Sequence, residues 1–287
     1  MTIAGFATRL FEVNGTIIHA AIAGTGPPLL LLHGYPQTHL MWAKIAPQLA
    51  ERFTVVAADL RGYGDSGKPV DTGDHAAYSK RVMATDMIAV MAALGHTRFA
   101  VAGHDRGARV AYRMALDHPD AIERLALLDI VPSLVVYETV DRAVATAYFH
   151  WFLLIQPSPL PEVLIGTNAG IWLDTVFGAW SGTPSSFALE AIAEYRRCFD
   201  VAATCADYRA GATIDCAHDA ADRASGRRIT CPTLILWGEH GLVGRREPLR
   251  IWADWASDVR GQGLPCGHFL PEEAPAETLT ALAGFLD

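Results

Sequence analysis

Gly103-His104-Asp105-Arg106-Gly107 follows directly on the apolar run Phe99 to Ala102, and no other feature restricts the fold of this chain so closely. A nucleophile flanked at two residues on each side by glycine marks a tight turn from a buried strand into a helix. The small residues are needed because the backbones nearly touch, and the turn lifts one side chain clear of the sheet edge. Here the lifted group is a carboxylate, Asp105. A carboxylate attacks saturated carbon or a strained ring and leaves an ester on the enzyme, which argues against acyl transfer. Arg106 comes next and Arg109 one helical turn later, so two guanidiniums beside the attacking group point to a substrate with its own negative charge.

The flanking segments repeat the strand and helix rhythm that such a turn requires. Phe11 to Val13 and Thr16 to Ile22 read as a hairpin around Asn14-Gly15. Leu29 to Leu32 is a continuous apolar run of the kind buried on both sheet faces, Phe53 to Ala58 is another such strand, and Phe99 to Ala102 and Ile122 to Leu128 read as further strands. Helical stretches at Ser79 to Leu94 and Asp105 to Asp117 separate them, so the expectation is an α/β fold, a mostly parallel sheet with helices on both faces. From Val131 to Gly226 the rhythm stops, and aromatics (Tyr137, Tyr148, Phe149, Trp151, Trp172, Trp180) alternate with prolines. This stretch is expected to form an inserted helical cap. The rhythm resumes with a strand at Thr233 to Trp237, a helix at Pro248 to Trp255, a strand at Asp258 to Gly263 and a helix from Ala274 to Leu286. Residues 1–130 and 227–287 are therefore read as the core and 131–226 as the cap.

Composition narrows the class. A chain of 287 residues with 51% hydrophobic and 19% charged side chains can bury a large core. Its 23 basic and 31 acidic residues give a net charge of -8, which repels nucleic acid and anionic membranes, so an anionic substrate must be drawn in by local arginines. Five cysteines without a Cys-x-x-Cys pair provide neither a disulfide framework nor a zinc site, and no metal or cofactor is expected. No run approaches the ~18 apolar residues of a membrane span, and Met1 to Leu10 lacks a secretory pattern, so a cytoplasmic protein is expected.

The remaining chemistry can be sought by role. In His33-Gly34-Tyr35-Pro36, after the strand Leu29 to Leu32, the Tyr35 N–H is placed to hold an oxyanion, with the Arg106 N–H as second donor. His268, in a loop before the last helix, is the candidate base that activates water. The acid that orients it falls either after Trp237-Gly238, where Glu239 is close but Gly241 occupies the usual place, or directly after Ile122 to Leu128 at Asp129, the better candidate. Gly62-Tyr63-Gly64-Asp65-Ser66-Gly67 fits a dinucleotide pattern but opens no helix, since Lys68-Pro69 follows. Asp59 and Arg61 are expected to tie that loop down. Glu239-His240 near Arg245-Arg246 has no second ligand at helical spacing and reads as a solvated loop.

Taken together these motifs resemble a haloacetate dehalogenase of the α/β-hydrolase superfamily, specifically the fluoroacetate dehalogenase group. The similarity runs from His33-Gly34-Tyr35-Pro36-Gln37 through Asp105-Arg106-Gly107-Ala108-Arg109 and Asp129-Ile130-Val131-Pro132 to His268. It implies that Asp105 is the nucleophile, Asp129 and His268 complete the triad, and Arg106 and Arg109 bind the substrate carboxylate. It further implies a halide site made by His150, Trp151 and Tyr208, with Trp180 flanking the pocket, and a homodimer. A small anionic 2-halo acid would be the substrate. Fluoride leaves carbon only if several donors replace its hydration water, which an imidazole, an indole and a phenol can do together. Epoxide hydrolases share the aspartate and histidine but usually carry Trp after the nucleophile, where this chain has Arg106. A non-catalytic receptor on the same fold is the alternative from another class.

Overall fold

The structure is a computed structural model and describes all residues from Met1 to Asp287. Asn14 and Gly15 both take positive φ, 44° and 72°, the geometry a two-residue hairpin loop needs to match strand twist. They join β1 (Ala7–Val13) to β2 (Thr16–Ala23), with Val13 opposite Thr16. Then come β3 (Pro28–Leu32), β4 (Thr54–Ala58), β5 (Phe99–His104), β6 (Ile122–Leu128), β7 (Thr233–Gly238) and β8 (Val259–Leu264). The eight strands lie in the order β1-β2-β4-β3-β5-β6-β7-β8. β2 is antiparallel to β1 and β4, and every other pairing is parallel.

Period-two alternation along the apolar strands explains why the sheet is covered twice. Leu30, Leu32, Val101 and Leu127 pack on one face against Met87 and Val110, from the helices Lys80–Ala93 and Arg106–Asp117. Leu29, Leu31, Val55 and Leu234 face the other way, toward Leu282 and Phe285 of the helix Pro275–Leu286. Burying each such leucine stabilises the fold by roughly 1.5–3 kcal/mol, and the charged residues of β6, Glu123 and Arg124, sit at its exposed and half-buried start.

Between β6 and β7 the chain leaves the sheet and forms eight α-helices, from Ser133–Glu138 to Ile214–Ser225. Three of them matter for the site: Phe149–Leu154, Ala169–Trp180 and Val201–Ala212. They bring His150, Trp151, Trp180 and Tyr208 to the sheet edge where Asp105 emerges.

Candidate active site

Sheet order reverses between β3 and β5, and the crevice outside the carboxyl ends of those strands is where open α/β sheets take ligands. The Tyr35 loop follows β3, and Asp105 follows β5. Asp105 is held at φ 44° and ψ -113° between strand and helix, a sparsely populated conformation for a residue with a side chain. The glycines explain how the turn fits. A Cβ on Gly103 would lie 2.6 Å from the Gly107 carbonyl oxygen, and one on Gly107 would lie 2.4 Å from that of His33.

The buried Asp105 carboxylate accepts the Tyr35 N–H at its Oδ2, 3.0 Å away. Burial pushes its pKa up, but His268, Arg109 and Arg106 outweigh that and hold it below the ordinary carboxylate value. Asp105 is thus ionised, the state in which a carboxylate can attack carbon. The Nε2 of His268 lies 4.0 Å from Asp105 Oδ2 and is buried without a partner. Its Nδ1 is 2.6 Å from Asp129 Oδ2. A carboxylate there can only accept, so Nδ1 carries the proton and Nε2 is free to take one. Asp129 Oδ1 accepts the Gly238 N–H at 3.0 Å, which fixes the acid in turn. Burial works against a charged His268, yet the hydrogen bond and charge of Asp129, with Asp105, raise its pKa above 6.5. Glu239 is exposed and lies against Gly263, so the carboxylate that meets His268 is Asp129.

Two backbone contacts lock the histidine loop. The His268 N–H donates to the Trp180 carbonyl at 2.9 Å, and His104 Nε2 donates to the His268 carbonyl at 2.7 Å. His104 itself stays neutral, because burial and the neighbouring His268 drive its pKa down to about 3.

The two arginines are both buried but not equivalent. Arg106 spends Nε and Nη2 on the Asp207 carboxylate, at 2.7 and 2.8 Å, and Nη2 also reaches the Asp207 carbonyl. Only its Nη1 is left without a hydrogen bond. Arg109 uses Nη1 for the Val131 carbonyl and the Ser133 hydroxyl, while its Nε is buried with no partner and Nη2 makes no bond. The simple picture of two free forks therefore needs correction: Asp207 already occupies most of one, for a reason that spacing could not show. Asp207 also pairs with Lys80 and accepts from Tyr63.

His150, Trp151 and Tyr208 converge as the resemblance implies, with rings 5.8 Å apart for His150 and Tyr208 and 6.0 Å for Trp151 and Tyr208. Tyr208 also carries the Arg106 guanidinium over its face at 4.2 Å, and Trp151 carries that of Arg109 at 4.6 Å. Burial, aided by His268, Arg106 and Arg109, keeps His150 neutral, and burial together with Asp105 keeps the Tyr208 phenol protonated. Both are thus N–H and O–H donors without net charge. Trp180 stands 4.3 Å from His150 and 5.5 Å from His268. Tyr35 turns its own ring inward, 5.5 Å from that of Tyr208, where the indole of Trp172 donates to its hydroxyl. The sequence had given no reason to single out Trp172, Tyr63 or Asp207.

A cavity of about 260 Å³ opens onto Asp105, Asp129, His150, Trp151, Trp180 and His268. A larger cleft of about 650 Å³, between the segment 68–78 and cap residues such as Pro157 and Arg209, touches none of these side chains. Metal-ligand residue types gather at His19, His39 and Asp59. There the Asp59 carboxylate already accepts both imidazole Nδ1 groups and the backbone N–H groups of His39 and Asp65, so the group closes on itself. It ties down the 62–67 loop, as expected of Asp59, whereas Arg61 pairs with Asp86.

Comparison with known proteins settles the family. Residues 27–275 match the model of the alpha/beta hydrolase fold. This chain is an α/β hydrolase. It is 46% identical over 288 residues to the fluoroacetate dehalogenase of Burkholderia sp, covering 98% of this chain and 94% of that protein. It is 36% identical to a soluble epoxide hydrolase of Corynebacterium sp. (strain C12), covering 95% of each. A crystal structure described as a putative alpha/beta hydrolase from Nostoc sp PCC 7120 superimposes with a TM-score of 0.96 at 55% identity, over 98% of both chains. The hydrolase thus stands among dehalogenases and epoxide hydrolases, and its own arginines have to distinguish the two chemistries.

Proposed function

We propose that this α/β hydrolase removes halide from haloacetates, fluoroacetate included, by way of an ester on Asp105. The observation that carries the reading is the pair of buried guanidiniums beside the nucleophile, stacked on Tyr208 and Trp151 behind the cavity wall, in which Nη1 of Arg106 and Nε and Nη2 of Arg109 make no hydrogen bond. An unpaired buried guanidinium nitrogen is costly unless a ligand takes it, and a substrate carboxylate matches that geometry.

With the carboxylate held there, Asp105 attacks the alpha carbon. Its Oδ2 sits on the Tyr35 N–H, so Oδ1 is the attacking oxygen. The new carbon–oxygen bond forms as the carbon–halogen bond breaks, and the halide leaves with its electron pair toward His150, Trp151 and Tyr208. Water then attacks the ester carbonyl carbon while His268 Nε2 takes its proton. The oxyanion rests on the N–H groups of Tyr35 and Arg106. Collapse breaks the bond between the carbonyl carbon and the glycolate oxygen, which takes the proton back from His268, so glycolate leaves and the water oxygen stays on Asp105.

Epoxide opening is the second reading, favoured by the Corynebacterium relative and by Tyr148 on the cavity wall, its ring 5.6 Å from that of His150. An uncharged epoxide would leave the arginine nitrogens unpaired, which ranks it below the haloacetates. The proposal extends to a cytoplasmic homodimer. Five unpaired cysteines suit a reducing compartment, no helix is long and apolar enough to cross a membrane, and exposed Leu160, Val163, Leu164 and Ile171 offer an apolar surface on neighbouring cap helices. A halide-electrode assay with fluoroacetate and chloroacetate beside styrene oxide tests the reading. Halide release with no diol supports it, and diol formation without halide release overturns it.

A further inference from the structure

The loop after β7 was read from sequence as a solvated loop, yet it forms part of the cavity. Asp105, His150 and Trp151 make the buried floor, whereas the exposed Thr146, Phe149, His240 and Arg245 define the mouth. Arg245 is the one Lys or Arg among the lining residues. It makes no ion pair, while its neighbour Arg246 is tied to Thr139 and pins the loop.

The charge inside the site makes that position significant. Lys80, Arg106 and Arg109 are offset by Asp105, Asp129 and Asp207, and Asp215 adds a further carboxylate beside Lys80. The interior therefore has no surplus positive charge to attract an anion from a distance. The whole chain, at -8, repels one. The two arginines recognise a carboxylate only once it is in contact, within a hydrogen bond's reach.

We infer that Arg245 is the collector of the anionic substrate, a specificity residue that draws a small carboxylate into the mouth of the cavity and takes no part in bond making. This rests on the proposed haloacetate reading. Its signature is electrostatic. Removing the charge weakens capture at low salt and has little effect at high salt, because the screening length shrinks from about 30 Å at 0.01 M to about 3 Å at 1 M. The rate of the bound complex stays the same.

The test compares the wild type with Arg245→Gln and Arg245→Lys over a range of ionic strength set with potassium sulfate, which adds no halide. Two readouts are used: chloride release from chloroacetate, and the change in tryptophan fluorescence on binding acetate, which has the carboxylate without a leaving group. Arg245→Gln should lower kcat/KM, and the affinity for acetate, about three- to tenfold at 0.01 M and less than about twofold at 1 M, with kcat little changed. Arg245→Lys should stay within about twofold of wild type, since it keeps the charge. Equal affinity in Arg245→Gln at low salt, a loss independent of salt, or failure of lysine to restore binding overturns the inference. If acetate binds with this salt dependence but no halide is released, the inference stands and the haloacetate reading falls. If halide is released and Arg245 makes no difference, the reverse holds.

Discussion

Replacing Arg109 by methionine should damage catalysis more than replacing Arg106, while replacing Arg106 should damage the fold more. Arg109 has two nitrogens that make no hydrogen bond, Nε and Nη2, and Arg106 has one, Nη1. A charge-assisted hydrogen bond contributes roughly 1.5–3 kcal/mol, and about 1.36 kcal/mol is a factor of ten. Arg109→Met should therefore lower kcat/KM for chloroacetate by roughly 10²- to 10⁴-fold, and Arg106→Met by about ten- to a hundredfold. Stability should follow the opposite order. Without Arg106 the buried Asp207 keeps only Lys80 and Tyr63, and breaking a buried pair of this kind costs about 3–5 kcal/mol. Without Arg109 a backbone carbonyl, the Ser133 hydroxyl and the Trp151 ring lose a partner, none of them charged. Chloride-release kinetics and thermal melts of the two variants give both numbers. The reasoning is refuted if Arg106→Met has the larger loss in kcat/KM and Arg109→Met the larger fall in Tm.

Other outcomes follow from the same contacts. His268→Asn should form the ester on Asp105 but not cleave it, so intact-protein mass spectrometry should show the adduct accumulating; an active first step with no adduct would remove His268 from the role of base. Trp151→Phe keeps ring bulk and deletes the indole N–H, and it should lose at least about tenfold more activity on fluoroacetate than on chloroacetate, roughly 1.4 kcal/mol of differential stabilisation. Equal losses would make Trp151 a packing residue. For pH, burial works against a charged His268, but Asp129 and the charge of Asp105 raise it above 6.5 in the free enzyme. The ester removes the Asp105 charge, so single-turnover ester hydrolysis should decline as pH falls, with a midpoint below that of the free enzyme; a rate independent of pH would remove His268 from the role of base. Glu272 is buried against Tyr195 and Gln37, and burial lifts its carboxyl to about 8. The folded state thus keeps a proton that the unfolded chain gives up near 4.5, so this group makes the protein less stable as pH rises from about 4.5 to about 8. Glu272→Gln should flatten that decline in thermal melts, and an unchanged slope would mean the group is not responsible.

The fold was legible because its signals are local. Apolar runs such as Leu29 to Leu32, the Asn14-Gly15 loop and the paired glycines around Asp105 each constrain their own few residues, and the structure keeps them. Asp129 and His268 were legible because strand ends place them, and a base needs an acid at hydrogen-bond distance. The partners of Arg106 were not. Asp207 lies 101 residues away on a cap helix, and its reach depends on how that helix packs, as does Trp172 on Tyr35. Arg245 was visible in sequence but read as solvent-exposed, which it is; only the cavity shows what it faces.

The central claim is a covalent ester on Asp105, and the fate of oxygen in one turnover tests it most directly. With excess enzyme, limiting chloroacetate and water enriched in oxygen-18, the attacking water reaches the Asp105 carbonyl carbon, so label should appear in the peptide that contains Asp105 and the glycolate should stay unlabelled. Label in glycolate with none on Asp105 would mean that water attacks the substrate carbon itself, and would contradict the account.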